Sequence, residues 1–234
     1  MSMAKIALLT SIVAVLVPLS ATAAPLAGSV AVKSGTWAHP DFKAAIRKSP
    51  SSTAQRVAST HYLTEDKFPE VYPVLRSFVD DNGGLWYQIG VPVRPNGLTG
   101  WVREAALGPL SRAHTRLLVD RKRLRATLYR NGTRIWHSRI GVGKRNTPTP
   151  AGQFWIREKF KVADPGGSYG PRAFGTSNYS RLSDWPGGGV IGIHGTNEPG
   201  LIPGRPSHGC IRVPNSAVLR LYKLMPVGTP VEIR

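Results

Sequence analysis

The stretch Ser207-His208-Gly209-Cys210-Ile211-Arg212 decides the reading of this chain. It contains the only cysteine among 234 residues. Upstream, the apolar run Val190-Ile191-Gly192-Ile193 ends in His194 and turns away through Gly195-Thr196-Asn197-Glu198-Pro199-Gly200. Short apolar runs bounded by turn residues are strand signals, so two strands are expected to deliver His194 and Cys210. A free thiol titrates near about 8.5. A neighbouring imidazolium lowers that value, because the ion pair favours the thiolate. Histidine suits the task, since its own pKa lies near neutrality. Such a thiolate attacks an acyl carbon and forms a thioester.

Other residues of the stretch fit the same chemistry. Gly209 has no side chain, so backbone N–H groups around Cys210 can approach a developing oxyanion. Arg212 lies two residues past the cysteine, on the same strand face. Its planar fork suits a substrate carboxylate. Each residue also has a plainer reading. Cys210 can be a small buried hydrophobe, His194 a satisfied strand-end histidine, and Arg212 a surface charge. His208 has three open roles: the base itself, a donor behind the base, or a backbone contributor only. A metal site from His194, His208 and Cys210 lacks a fourth ligand.

Beyond the cysteine, Pro214-Asn215-Ser216 opens a helix, with Asn215 or Ser216 as its cap. Val218, Leu221, Leu224 and Met225 recur at helical spacing as its core face. Thr229 to Ile233 is expected to close a sheet. Before the histidine, Asp164 to Gly189 is rich in glycine and poor in long apolar residues, and reads as a long surface loop. Gly141 to Gly152 lacks the spacing of a phosphate loop and reads as a turn into a strand, Gln153 to Phe160. Arg121, Arg123 and Arg125 alternate with Leu124, Ala126 and Leu128, which predicts a strand with a charged outer face. Asn131-Gly132 is a hairpin signal, returning through Thr133 to Ile140.

The first half reads as β-rich. Ala44 to Arg47, Tyr72 to Leu75, Leu85 to Val91 and Gly100 to Val102 are strand candidates separated by turn clusters. Residues 24–40 read as a leader. At the start, Lys5 precedes the apolar run Ile6 to Leu19, and Ala21-Thr22-Ala23 has the small-x-small pattern of a cleavage site, so 1–23 reads as a signal peptide. That run is shorter than the ~20 residues a spanning helix needs, and no stable membrane span is expected.

Composition agrees with an exported β protein. There are 25 glycines and 20 prolines, which favour many turns and short strands. One cysteine excludes an internal disulfide and a cysteine-rich zinc site. A formal charge of +18 predicts attraction to a polyanion. Export makes nucleic acid an improbable partner and an anionic cell wall the natural one.

The two-part motif His194-Gly195-Thr196-Asn197 and Ser207-His208-Gly209-Cys210-Ile211-Arg212 resembles the signature of L,D-transpeptidases of the YkuD family. The resemblance covers roughly residues 116–234. It implies a mostly β fold, a YkuD-type β-sandwich with few helices over 111–234. It also implies Cys210 as acyl acceptor and His194 as general base, with the Gly195 carbonyl orienting the imidazole. Backbone groups of His208, Gly209 and Cys210 would form the oxyanion hole, and Arg212 and Ser207 would contact substrate. The implied substrate is the peptidoglycan stem peptide, with no cofactor and no metal. Residues 41–110, through Trp86-Tyr87-Gln88-Ile89 and Gly100-Trp101-Val102, resemble small bacterial SH3-like β-barrel domains. Trp86 and Trp101 read as core residues rather than a ligand shelf. The site is expected in the cell wall or periplasm. Water as acceptor would make an L,D-carboxypeptidase, and a protein lysine an anchoring enzyme. A sortase-like enzyme fits Ser-His-Gly-Cys poorly, and a non-enzymatic wall-binding protein stays open.

Overall fold

The computed structural model describes residues 25–184 and 186–234. The expected signal peptide, 1–23, lies outside the described residues. The fold is mostly β, with a single α-helix among those residues. None of its helices is long and apolar enough to cross a membrane.

The first sheet is built from β1 Val30–Ala31, β2 Thr36–Ala38, β3 Ala45–Arg47, β4 Arg56–Ser59, β5 Tyr72–Val79, β6 Leu85–Gly90, β7 Thr99–Arg103 and β8 Ser111–Arg112. Its order is β4-β3-β7-β6-β5-β2-β8, with β1 also paired to β5. Ile46, Tyr72, Val74, Ile89 and Val102 form its core. Trp86 and Trp101 are buried beside it. Residues 24–40, read as a leader, behave differently: Trp37 of β2 pairs with Pro73 on one side and Ser111 on the other. A large aromatic in a short polar stretch was the sign that this segment packs. The sheet therefore extends on both sides of 41–110.

The second sheet is built from β9 Thr115–Asp120, β10 Arg125–Arg130, β11 Thr133–Arg139, β12 Gly141–Gly143, β13 Gly152–Lys161, β14 Arg172–Tyr179, β15 Val190–His194, β16 Gly204–Ser207, β17 Ile211–Arg212 and β18 Pro230–Ile233. Its order is β11-β10-β9-β18-β13-β14-β15-β17-β12-β16. The helix α1 Asn215–Leu224 follows β17 and packs on β14. Val218, Leu221 and Met225 enter a core with Leu117, Ile156, Phe174 and Ile211.

Three expectations are corrected here. The stretch 164–189 is not one surface loop: it contains β14, whose residues from Ala173 to Tyr179 are all buried. Small and polar residues fill this strand because backbone and neighbours cover both faces. Gly175 shows it, since a Cβ there would meet Glu158 Oε1 at 2.2 Å. The alternating arginines do not form one strand either. Arg121 to Leu124 make the turn between β9 and β10, with Leu124 at φ 50°. Finally, neither Asn215 nor Ser216 caps α1. Pro214 holds the cap position, and Asn215 Oδ1 instead accepts from the Thr196 amide at 2.8 Å.

The two sheets meet along β13. Phe154 and Ile156 face the core of the second sheet. Trp155 and Arg157 face the first, as the period of two requires. Trp155 Nε1 donates to Val71 O at 2.7 Å. Arg157 Nε donates to Glu70 Oε1 at 2.8 Å, and Nη2 pairs with Glu70 Oε2. These side chains are 2% and 0% exposed, so the ion pair is fully dry. Arg157 Nη1 also pairs with Glu65 Oε2 at 2.8 Å. A register shift between Ile156 and Glu158 lets Glu158 join the same side, where Thr64 Oγ1 donates to it.

Candidate active site

β15 and β17 run parallel, with Ile193 opposite Ile211 and His194 opposite Arg212. Ile193 and Ile211 are anchored in the core, so Gly192, His194, Cys210 and Arg212, one position away on either strand, fall on the opposite face of the pair. Both residues line a cleft of about 150 Å³ with Ser168, Tyr169, Ser180, Ile191, His208 and Arg212.

The His194 ring and the Cys210 sulfur both border the empty side-chain position of one glycine. A Cβ on Gly192 would lie 3.6 Å from His194 Cδ2 and 3.8 Å from Cys210 Sγ. The imidazole edge and the thiol thus share the space above one residue without a side chain. The Gly192 N–H donates to Cys210 Sγ at 3.3 Å. His194 Nδ1 donates to Gly195 O at 2.6 Å. A carbonyl can only accept, so Nδ1 carries the proton and Nε2 keeps its lone pair. Thr196 N on Asn215, together with the turn at Gly170, holds this loop. A Cβ on Gly170 would strike Asn215 Oδ1, Gly195 and Thr196.

Electrostatics differ from the thiolate–imidazolium pair expected from sequence. Burial lowers the His194 pKa to about 4, and its bond to Gly195 only partly opposes this. Burial also pushes the Cys210 thiol up, against the pull of the Gly192 amide and Arg212. The resting pair is therefore neutral. The apolar strand ends that bring the groups together also desolvate them.

The turn that leads into Cys210 is internally bonded. Ser207 Oγ donates to Cys210 O at 2.6 Å and accepts from Gly209 N at 3.1 Å. Ser207 is thus buried and engaged within the turn, although it lines the cleft. The Gly209 amide, expected in the oxyanion hole, is likewise spent on Ser207 here. Gly209 has φ +132°, and a Cβ on it would lie 2.6 Å from Ile191 Cδ1, so only glycine fits. Thr149 Oγ1 donates to Gly209 O at 2.6 Å, and Ser180 Oγ donates to His208 O at 3.2 Å. The His208 side chain is exposed at the cleft.

Arg212 Nη1 pairs with Glu198 Oε2 at 2.6 Å, while its buried Nε has no partner. Tyr169 lies against His194, with ring centroids 4.5 Å apart. Among the described residues no group of three His, Cys, Asp or Glu is placed to hold a metal ion. Sequence reasoning missed Gly192, Thr149, Tyr169, Ser180 and Glu198. Only Gly192, a glycine inside an apolar strand, carried a signal of close approach.

Residues 114–233 match the family model described as YkuD, the L,D-transpeptidase catalytic domain. Over 94 residues the chain is 38% identical to the putative L,D-transpeptidase YkuD of Bacillus subtilis, covering 40% of this chain and 50% of the relative. The corresponding protein of Bacillus licheniformis is 39% identical over the same shares. The chain spans about half the length of these curated relatives. A solved catalytic domain of the Enterococcus faecium L,D-transpeptidase is 28% identical, covering 51% of this chain and 96% of that one, with TM-score 0.39. The family match takes in both strands that carry the cleft, β15 and β17, and on that match the chain belongs to the YkuD family of L,D-transpeptidase catalytic domains and is an enzyme.

Proposed function

We propose that this enzyme is an exported L,D-transpeptidase that acts on peptidoglycan tetrapeptide stems through a Cys210 thioester. The observation that carries the reading is that the His194 imidazole and the Cys210 sulfur both border the empty side-chain position of Gly192. His194 Nε2 takes the thiol proton as sulfur attacks the carbonyl of the third, L-centred residue. A neutral pair suits this concerted step, because charge develops only with the attack. The C–N bond to D-alanine then breaks, and the proton held by the imidazole passes to the leaving amine. A side-chain amine of a second stem attacks the thioester, gives up a proton to His194, and the thiol returns as a 3→3 cross-link forms.

Backbone N–H groups of His208, Gly209 and Cys210 hold the oxyanion, with the turn relaxing from its Ser207 bond. Arg212 receives a substrate carboxylate, a role supported by its unpartnered Nε. No cofactor takes part. The second sheet and α1, within 111–234, are the catalytic unit; an SH3-like unit of 41–110 is the centre of the first sheet, which β1, β2 and β8 extend; and the basic surface keeps the enzyme on an anionic wall rather than on nucleic acid.

The test is acylation by a carbapenem, read by mass spectrometry. One adduct is expected, absent in Cys210→Ala. An adduct that survives in that variant rules out this nucleophile. Defined tetrapeptides then report the acceptor: a cross-linked dimer supports transpeptidation, a lone tripeptide an L,D-carboxypeptidase, and a protein adduct an anchoring enzyme.

A further inference from the structure

The turn between β6 and β7 reaches from the first sheet onto the wall of the cleft. Arg94 Nη2, its two hydrogens shared among three carbonyls, lies 3.2 Å from Ser180 O, 3.1 Å from Leu182 O and 2.8 Å from Gly188 O. One guanidinium thus ties together both ends of the segment between β14 and β15. The rest of its head lies over the Tyr179 ring, 4.8 Å from the centroid. Asn96 works beside it in the manner of a strand. Its Nδ2 donates to Tyr179 O and its Oδ1 accepts from Tyr179 N, both at 2.9 Å. Nδ2 also reaches Asn178 Oδ1 at 2.9 Å. Tyr179 OH closes the set, its one proton shared between Glu65 Oε1 at 2.5 Å and Pro92 O at 2.7 Å. Gly189 is required here: at φ +77°, a Cβ would lie 2.6 Å from Arg94 Nη2 and 2.1 Å from Leu182 O.

The far side of this segment is the cleft. Ser180, Gly189, Val190 and Ile191 line it with Cys210. Ser180 N donates to Gly189 O at 2.8 Å, and Ser180 Oγ donates to the His208 carbonyl at 3.2 Å. His208 lies in the turn that presents the nucleophile. A continuous run of hydrogen bonds therefore leads from Arg94 through Ser180 to the peptide two residues before Cys210.

We propose that Arg94, assisted by Asn96, is a positioning residue for acyl transfer, and that the first sheet braces the wall of the active site from behind. Arg94 touches neither sulfur nor substrate. It gathers three backbone carbonyls of the segment that lines the cleft, and so fixes the width of the cleft where the acyl donor sits. Losing about an ångström of placement at a reacting centre costs rate far more than it costs stability. The proposal rests on Cys210 as nucleophile, so wild-type acylation is its own control.

The experiment compares Arg94→Met with Arg103→Met. Arg103 is a second arginine of the first sheet, paired with Asp80 and lying over Trp86 away from the cleft. Two second-order rates are measured on the full chain: acylation by a carbapenem, which needs the wall, and alkylation by iodoacetamide, which needs an accessible sulfur and its deprotonation but no shaped wall. Arg94→Met is expected to slow acylation about tenfold or more, with alkylation and its pH profile little changed. Arg103→Met leaves both rates near wild type. Equal acylation in Arg94→Met and wild type overturns the proposal, as does an equal loss in Arg103→Met. If wild type itself is not acylated, the nucleophile assignment fails instead. Should Arg94→Met not fold, Arg94→Lys decides on the same two rates: a selective loss of acylation supports the role, and none refutes it.

Discussion

At the scale of single residues, the site depends on what is absent at position 192. An alanine there would meet only ordinary contacts, the closest being Phe174 O at 3.5 Å. Gly192→Ala should therefore fold, with thermal stability unchanged or raised by about 0.4–1 kcal/mol from chain entropy. Its methyl would fill the space that both the imidazole edge and the sulfur border, so carbapenem acylation should fall about 100-fold. A variant both stable and fully active would show that the two groups do not meet there. The depressed His194 pKa gives a second expectation. The proton-accepting form persists down to about pH 4. The acylation rate should thus hold nearly level through the acid range where an ordinary histidine near 6.5 would lose it, and fall only below about pH 4. A stopped-flow profile between pH 4 and 8 checks this.

At the scale of elements, the loop after β15 is braced by the first residue of α1. Asn215→Ala removes the acceptor of the Thr196 amide. The lost bond should cost about 1 kcal/mol, read in urea unfolding. Acylation should fall further than stability explains, because the Gly195 carbonyl that fixes the imidazole rides on this loop. The legible parts of the site share one property. Histidine, cysteine and the apolar runs that carry them are local signals, and so is the helix stripe of Val218, Leu221 and Met225. The hairpin at Asn131 and Gly132 was equally plain, and both residues have the positive φ its tight turn needs. What stayed hidden depends on distant partners. β14 has no apolar alternation, because its neighbours bury both of its faces. Asn215 looked like a helix cap until the Thr196 amide competed for its oxygen. Nothing in the local sequence of Arg94 or Ser180 tells that they meet.

At the scale of the molecule, the two sheets are joined by buried charge. Arg157→Met should destabilise the fold by about 3–5 kcal/mol, since it strands Glu70 without its cation. Adding Glu70→Leu should recover much of that loss, because an apolar pair needs no compensation. Denaturant unfolding of the single and double variants measures both. The same contact contains a carboxyl of opposite habit. Burial pushes Glu158 up to about 7, with Asp66 adding repulsion and the Thr64 hydroxyl opposing. An unfolded glutamate titrates near about 4.3. Between these values the fold retains a proton that the unfolded chain has released, so stability falls as pH rises and levels off above about 7. Glu158→Gln should flatten this slope, seen as melting temperatures that vary less from pH 5 to 8.

The dry pairing of Glu70 with Arg157 also limits how the chain can be divided. Cutting it before β9 would leave a permanently charged guanidinium and the Trp155 indole facing solvent or each other's copies. An engineer wanting a minimal catalyst would need to repaint that flank with neutral, hydrophilic side chains. Even then, the freed half would lack the arginine that shapes its cleft, so modularity in this protein is a matter of sequence bookkeeping more than of physics.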